Sequence, residues 1–142
     1  MSRILVVDDE EAIRFYLTLL LEDRGYSIKA VADADEALRA MDDEPFDLVC
    51  LDIMMPRRSG IWLYSAMRTR PSGRHVPVVF ISGFSQVNDL RDERAFRRTV
   101  RDESIPMPEV CLEKPVDPAK LLGAIERLTS APQQTGGLDV QR

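Results

Sequence analysis

The feature that most constrains the fold is a regular alternation of short apolar segments with longer amphipathic ones. Arg3 to Val7, Ser27 to Val31 and Phe46 to Leu51 are short apolar runs, typical of strands in a sheet. Two more such runs follow at Val76 to Ile81 and Val110 to Leu112. Because parallel strands need long crossover connections, this alternation predicts a doubly wound α/β fold, with a five-stranded parallel sheet and helices on both faces.

The segments between these runs carry apolar residues at helical spacing and recognisable helix ends. Asp33, Asp117 and the following Pro118 are typical of helix starts, whereas Gly25 and Pro45 are typical of helix ends. Five helices are therefore expected, from Glu11 to a stop at Gly25, from Asp33 to a stop at Pro45, from Ile61 to about Arg70, from Val87 to about Arg101, and from Asp117 to Leu128.

The length and the C-terminal composition indicate one domain followed by a tail. A chain of 142 residues with 44% hydrophobic composition can build a single sizeable core. From position 129 onward the chain has many turn formers and few apolar residues. We therefore expect one domain over residues 1–128 and a disordered tail or linker over residues 129–142.

Charge and apolar patterning restrict the partners and the location. The net charge of −5 argues against sequence-independent binding of nucleic acid, which requires a basic surface. The first apolar run is too short for a signal peptide or a membrane span, because Asp8 and Asp9 interrupt it. Cys50 and Cys111 have no metal-ligand spacing, so we expect free thiols and a cytoplasmic location.

Five polar side chains stand at or just past the ends of predicted strands: Asp8, Asp9, Asp52, Ser82 and Lys114. The carboxyl ends of parallel strands share one edge of the sheet, where such folds bind ligands. Three carboxylates packed together require a cation, and oxygen ligands favour Mg²⁺. Asp52 is best placed to act as a nucleophile toward a phosphoryl group. Ordinary turn and capping roles explain any one of these residues but not the set.

Four motifs resemble those of a known family: VVDDE, LDIMMPRRSG, ISG and EKP, in this order. They resemble the response-regulator receiver domain of two-component signalling, and the likeness spans Arg3 to about Leu128. The block DIMMPRRSG followed by a strand-end Lys-Pro pair is highly specific, whereas the aspartate pair alone is not. The resemblance implies a flavodoxin-like fold with strand order 2-1-3-4-5, similar to chemotaxis receivers.

The resemblance also implies a Mg²⁺ site. Asp9 and Asp52 would bind the ion directly, together with the backbone carbonyl of Met54, and Asp8 would act through a water molecule. All these positions match the family pattern in this sequence.

For the phosphoryl group, the resemblance implies that Asp52 is the acceptor and that Lys114 forms an ion pair with it. The hydroxyl of Ser82 would move to donate a hydrogen bond, with Gly83 leaving room beside it. The Lys114–Pro115 bond is cis in this family, a geometry that proline tolerates.

The sequence departs from the family pattern in two places. Three residues before the lysine, where the family usually has an aromatic residue that turns inward on phosphorylation, stands Cys111. A small buried strand residue is the preferred interpretation and a redox sensor the alternative. Between Ser82 and Lys114 the chain is longer than the family norm by about ten residues, or roughly three turns if helical.

That enlarged segment is rich in arginines interleaved with acids; the arginines are Arg91, Arg94, Arg97, Arg98 and Arg101. A solvated face with i to i+4 ion pairs is the preferred interpretation. The alternative is a docking face for a partner or for a second copy of the chain, since this side of the resembled family commonly meets partners.

Three further residues bear on the phosphoryl chemistry. Met54 and Phe84 occupy the positions that influence attack of water on the acyl phosphate in the family, and neither can orient a water strongly. Slow self-dephosphorylation is therefore predicted. His75, the only histidine, lies in a turn without a helix of its own. The phosphoryl group is therefore expected from a sensor histidine kinase or a histidine phosphotransfer protein.

Three functions fit these residues to different degrees. The favoured one is a switch without multiple-turnover activity, in which phosphorylation of Asp52 alters partner binding or homodimer formation through helix 4, strand 5 and helix 5. A Mg²⁺-dependent aspartyl-phosphate hydrolase is the enzymatic alternative, but it usually has a second carboxylate where this chain has Met54. A receiver that works without phosphorylation is the third, suggested by Cys111.

Overall fold

The structure, a computed structural model, describes residues 2–83 and 92–130, which form five strands and five helices. In chain order they are β1 (Arg3–Val7), α1 (Glu11–Glu22), β2 (Ser27–Val31), α2 (Ala34–Asp43), β3 (Leu48–Asp52), α3 (Gly60–Arg68), β4 (Val78–Ser82), α4 (Glu93–Thr99), β5 (Val110–Glu113) and α5 (Pro118–Ser130). The strands are parallel, in the order β2-β1-β3-β4-β5. The predicted doubly wound fold is confirmed.

The helices cover both faces of the sheet because the central strands β1, β3 and β4 are apolar on both sides. Every residue of β3 and β4 is buried. One face packs against α1 and α5 through Leu17, Leu21, Leu121 and Ile125. The other face packs against α2, α3 and α4. None of the helices within residues 2–83 and 92–130 has the length and apolar character needed to cross a bilayer.

Strand register brings the functional edge of the sheet together. The paired positions nearest that edge are Val7 with Leu51, Asp52 with Ile81, and Ser82 with Glu113. Asp8 therefore follows β1 beside the end of β3, and Lys114 follows β5 beside the end of β4. Residues far apart in sequence are placed at the same level by backbone pairing alone.

Some element boundaries differ from the predicted ones. β3 and β4 begin at Leu48 and Val78, later than predicted, and both extend one residue further, through Asp52 and Ser82. α3 runs from Gly60 to Arg68 rather than from Ile61 to Arg70. α5 continues through Ser130, past the predicted end of the domain at residue 128. Residues 131–142, most of the predicted tail, lie outside the described residues.

Only the second part of the predicted fourth helix lies within the described residues. Within the described residues α4 covers Glu93–Thr99, and Val100 is already extended, with φ −110° and ψ 95°. The part predicted to begin at Val87, including Leu90, lies outside the described residues. Residues 100–109, here called the exit segment, connect α4 to β5 without helix. Within the described residues, this region therefore consists of a short helix followed by the exit segment.

Contacts with α3 and α4 fasten the exit segment to the core. Ile105 is 4% exposed. The Arg97 guanidinium donates to the carbonyls of Asp102, at 3.0 Å, and Ile105, at 2.8 Å, and its central carbon lies 5.1 Å from the ring centroid of Phe96. These hydrogen bonds go to main-chain carbonyls, whereas the sequence predicted i to i+4 pairs with acidic side chains. The Tyr64 hydroxyl donates to the carbonyl of Pro106 at 2.9 Å.

Tyr64 also occupies the aromatic centre of this face. Its ring packs edge-on against Phe80 of β4 and Phe96 of α4, with centroids 5.2 and 6.3 Å away. Cys111 of β5 is partly buried against the same cluster. Within the described residues Cys50 and Cys111 form no disulfide, in agreement with the prediction. A tyrosine from α3 therefore fills the core near the place where an aromatic residue of β5 was missing.

Candidate functional site

Three carboxylates meet at the carboxyl edge of the sheet. Asp52 ends β3 and is 4% exposed, and Asp8 follows β1 and is 2% exposed. Asp9 is exposed at the rim. One carboxylate oxygen from each of the three lies within 4.8 Å of the others. Because the end of a fully buried strand carries Asp52, the fold holds this carboxyl in contact with its neighbours rather than in open solvent.

A lysine and a serine complete the cluster. Lys114 Nζ lies 3.1 Å from Asp8 Oδ2, 3.0 Å from Glu10 Oε1 and 3.5 Å from Asp52 Oδ1. The Ser82 hydroxyl donates to Asp52 Oδ1 at 3.2 Å. The Lys114 backbone N–H donates to the carbonyl of Ser82 at 2.8 Å, which ties the two strand ends together. The Lys114–Pro115 bond is cis, as the resemblance implied.

Burial and mutual repulsion perturb the acidic groups. Burial, and next the charge of Asp8, raise the pKa of Asp52 to about 6, against the opposing effect of Lys114. Burial also raises the pKa of Asp8, although hydrogen bonds from the Glu10 backbone and from Lys114 oppose it. For Lys114, burial lowers the pKa, but hydrogen bonds to Glu10 and Asp8 outweigh it and bring the pKa to about 12. The site is thus short of positive charge.

The donor set fits a hard divalent cation. Among the described residues, Asp8, Asp9 and Asp52 form a group whose oxygens could reach one ion. Oxygen ligands without nitrogen or sulfur favour Mg²⁺ or Ca²⁺, and an incomplete protein shell suits Mg²⁺, which keeps several waters. Burial, and after it the charge of Asp8, raise the pKa of Asp52, and a bound cation would relieve the second of these effects.

The loop after β3 leaves room for the Asp52 backbone. A Cβ added at Gly60 would lie 2.0 Å from the Asp52 carbonyl oxygen, so only glycine fits there. The Gly60 N–H donates to the Ile53 carbonyl at 2.7 Å, and Ser59 caps α3 by accepting from the Trp62 N–H. Gly60 is therefore needed for close packing at the site.

The structure brings together the five strand-end residues predicted from sequence. Met54, predicted to contribute its carbonyl, follows two residues after Asp52, and its side chain is 60% exposed; its role stays a prediction. Phe84 lies outside the described residues. His75 is exposed in the turn region before β4, as predicted.

Two contacts of the site were missed from sequence. Glu10 reaches Lys114, a residue 104 positions away, and Arg14 donates to the Asp8 carbonyl at 2.7 Å. The acidic run at residues 8–11 offered a weak signal for Glu10, but nothing in the spacing connected it to Lys114.

A parallel five-stranded sheet with a carboxylate cluster, a lysine and a hydroxyl at its carboxyl edge defines a class of doubly wound α/β domain whose site could hold a divalent cation. The family model of the response regulator receiver domain matches residues 4–126. The chain belongs to this family, and its resemblance to receiver domains is confirmed.

Relatives and solved structures agree with that assignment. Protein Rrf1 of Nitratidesulfovibrio vulgaris is 30% identical over 126 residues, which cover 89% of this chain and 81% of Rrf1. Transcriptional regulatory protein DltR of Streptococcus agalactiae is 40% identical over 87 residues, which cover 61% of this chain and 38% of DltR. The chain therefore spans well under half of DltR. Chemotaxis protein CheY4 of Vibrio cholerae has a TM-score of 0.74 and 25% identity, covering 90% of this chain and 98% of CheY4.

Histidine kinases are also among the similar proteins. Sensor histidine kinase GacS of Pseudomonas protegens is 35% identical over 109 residues, which cover 75% of this chain but 12% of GacS. The signal receiver domain of a histidine kinase from Syntrophus aciditrophicus has a TM-score of 0.76 and 26% identity, with 99% of this chain and 98% of that chain covered. The chain is thus a receiver domain of two-component signalling.

Proposed function

We propose that this chain accepts a phosphoryl group on Asp52 from a phosphohistidine of a partner protein, in a Mg²⁺-dependent reaction, and thereby changes its binding to an output partner. The observation that carries the proposal is the Asp52 carboxylate itself. It is buried among Asp8, Ser82 and Lys114 yet lies at the sheet edge where substrates reach such folds.

The reaction is a displacement at phosphorus. An Asp52 oxygen forms a bond to phosphorus, and the bond from phosphorus to the donor imidazole nitrogen breaks, leaving its electron pair on that nitrogen. A pKa of about 6 leaves Asp52 largely ionised at neutral pH, so no separate base is needed. Lys114 donates to the phosphoryl oxygens and balances their charge, and the Ser82 hydroxyl turns from Asp52 to donate to one of them.

The metal site is proposed on the same residues. Asp9, Asp52 and the carbonyl of Met54 would hold Mg²⁺ directly, with Asp8 acting through water. When bound, Mg²⁺ supplies positive charge next to the phosphoryl oxygens. In this proposal Asp8 and Asp9 serve to bind the metal ion, whereas Asp52 both binds the ion and accepts the phosphoryl group.

Incubation of the full chain with acetyl phosphate and Mg²⁺, followed by intact mass spectrometry, tests the proposal. We expect one phosphoryl adduct on the wild type, none on Asp52→Asn, and none in EDTA. Asp47→Asn is the matched control, since Asp47 is an exposed aspartate just before the other end of β3, and it should be modified like the wild type. An adduct on Asp52→Asn, or steady phosphate release over many turnovers, would contradict the proposal and favour the hydrolase.

The acyl phosphate should be long-lived. The Met54 side chain projects into solvent and its thioether is a poor hydrogen-bond partner for an attacking water. We therefore expect the phosphoryl group to persist well beyond seconds in Mg²⁺ buffer, and a half-life of only seconds would refute this expectation.

The donor and the output partner are separate proteins in this proposal. His75, an exposed turn residue, does not supply the phosphoryl group, so a cytoplasmic sensor histidine kinase or histidine phosphotransfer protein does. For the output we propose the surface of α4, β5 and α5, together with the adjoining exit segment. Arg94 and Arg98 of α4 and Arg101 of the exit segment are exposed there. Reversing the charge of these three arginines should weaken binding of the partner or of a second copy; unchanged affinity and oligomeric state would exclude this surface.

A further inference from the structure

Lys114 is shared unequally among the carboxylates around it. Its Nζ lies 3.0 Å from Glu10 and 3.1 Å from Asp8, but 3.5 Å from Asp52. The ammonium that should meet the incoming phosphoryl group is therefore held closer to two other anions than to the acceptor. Asp8 is part of the proposed metal site, whereas Glu10 has no role in the mechanism described above.

The backbone fixes Glu10 at this position. Its N–H donates to Asp8 Oδ1 at 2.8 Å, and its carbonyl accepts from the N–H groups of Ile13 and Arg14 at 3.1 Å, which starts α1. Glu10 is the N-cap residue of α1, but its side chain forms no capping hydrogen bond. That side chain is instead directed across the site to Lys114. Helix capping therefore does not explain the contact between Glu10 and Lys114.

The contact lies at the solvent rim of the site. The Glu10 side chain is 60% exposed, whereas those of Lys114 and Asp8 are 20% and 3% exposed. An exposed ion pair contributes little to stability. It still affects a charged reactant, because Glu10 both adds a negative charge at the entrance and occupies a donor of the lysine that the phosphoryl oxygens require. Both effects oppose the arrival of an anion.

We propose, on the basis of the phosphoacceptor function above, that Glu10 is a specificity-determining residue that disfavours small, free anionic phosphodonors by engaging Lys114 at the rim. Such donors carry their negative charge directly to this edge. Glu10 would thus restrict Asp52 to donors delivered by a bound protein.

The test compares the rate of Asp52 phosphorylation by acetyl phosphate in the full-chain wild type, Glu10→Gln and Glu11→Gln. Glutamine keeps the size of the side chain and removes its charge. Glu11 is the matched control because it is the next residue and is also exposed. Mg²⁺ is kept saturating for each protein, and thermal unfolding verifies that each variant is folded.

Glu10→Gln should be phosphorylated about two- to fivefold faster than the wild type at low ionic strength, the size expected for one charge at a hydrated site. The gain should shrink at high salt, because the pair is exposed, and with phosphoramidate, which carries less negative charge than acetyl phosphate. Glu11→Gln should stay within about 1.5-fold of the wild type. A purely structural role of Glu10 would not produce this dependence on salt and donor charge.

Three results would overturn the inference. A Glu10→Gln rate equal to or below that of the wild type would show that Glu10 does not oppose the donor. Equal increases in the phosphorylation rate of Glu10→Gln and Glu11→Gln would show that the increase comes from general surface charge and not from the contact with Lys114. If no variant, including the wild type, takes a phosphoryl group, the proposed function fails and the inference fails with it, whereas a normal wild-type rate without a Glu10 effect removes the inference alone.

Discussion

Replacing Asp52 by asparagine should stabilise the metal-free protein, although it removes the residue on which the proposed function depends. The pKa of Asp52 is raised to about 6 from 3.8, chiefly by burial and then by the charge of Asp8. Above pH 6 this carboxyl is ionised in the folded protein, although its burial and the charge of Asp8 disfavour the ionised form. Two units of pKa correspond to about 3 kcal/mol, a cost that a neutral asparagine avoids.

The net gain is smaller than this figure. The pKa of about 6 already includes the attraction of Lys114, 3.5 Å away, and asparagine keeps an oxygen that can accept from the Ser82 hydroxyl. Its buried amide NH₂, however, needs hydrogen-bond acceptors that the carboxylate did not need. We therefore expect Asp52→Asn to raise the free energy of unfolding by about 2 kcal/mol at pH 7.5 in EDTA. For a domain of this length that corresponds to a rise in Tm of about 4 to 8 °C.

The direction of the pH dependence follows from the raised pKa. A carboxyl with a folded-state pKa above its unfolded value favours folding most below pH 3.8, and this contribution is lost as the pH rises through about 6. The advantage of Asp52→Asn should therefore be full above pH 7 and about half as large at pH 5. Urea unfolding at pH 7.5 and pH 5, followed by circular dichroism, measures both values.

The control is Asp9→Asn, which removes an exposed carboxylate of the same cluster and should change stability by less than about 0.5 kcal/mol in EDTA. Added Mg²⁺ should stabilise the wild type more than Asp52→Asn, since ligand binding stabilises the state that binds it. If Asp52→Asn lowers the stability in EDTA, or if its advantage does not change between pH 5 and pH 7.5, the reasoning is wrong.

Two further predictions concern packing near the site and can be measured by urea unfolding. Gly60→Ala should destabilise the fold by about 2 kcal/mol or more and slow phosphorylation, because the added Cβ would lie 2.0 Å from the Asp52 carbonyl oxygen. The control is Gly123→Ala, at a helical position with open space, which should stabilise the fold by about 0.5 to 1 kcal/mol. Equal effects of the two substitutions would contradict this prediction. Tyr64→Phe should cost about 1 kcal/mol and raise amide hydrogen exchange in the exit segment, since it removes the hydrogen bond to Pro106; unchanged exchange would show that the bond does not hold the segment.

Periodicity predicted the fold well but placed some strand ends imprecisely. β1 and β2 match their predicted bounds, because their apolar runs and their ladders coincide. Phe46 is buried although it precedes β3. An apolar run in the sequence therefore indicates which residues are buried rather than which residues pair in the sheet. Pro77 has no N–H to donate, which is consistent with β4 starting at Val78.

The site residues on strand ends were predictable, whereas their side-chain partners were not. Topology alone brings Asp8, Asp52 and Lys114 to one edge of the sheet. Glu10 and Lys114 meet because β1 and β5 both end at the carboxyl edge of the sheet. The direction of an exposed side chain leaves no periodic signal in the sequence. The fold of the exit segment likewise depends on hydrogen bonds from Arg97 and Tyr64 to main-chain carbonyls. Every residue has such a carbonyl, so the sequence does not indicate which one is used.

The free energy of unfolding of this protein should depend on the charge of its site, that is, on protonation, substitution or metal binding there. β3 and β4 are buried along their whole length, so the sheet holds Asp52 beside Asp8 even though their charges repel. The single ammonium of Lys114 is divided among three carboxylates and cannot neutralise them all. Protonation, a neutral substitution or a bound cation each relieve the same repulsion. All three should therefore stabilise the fold, and the same excess of negative charge that makes the site costly to form makes it receptive to Mg²⁺.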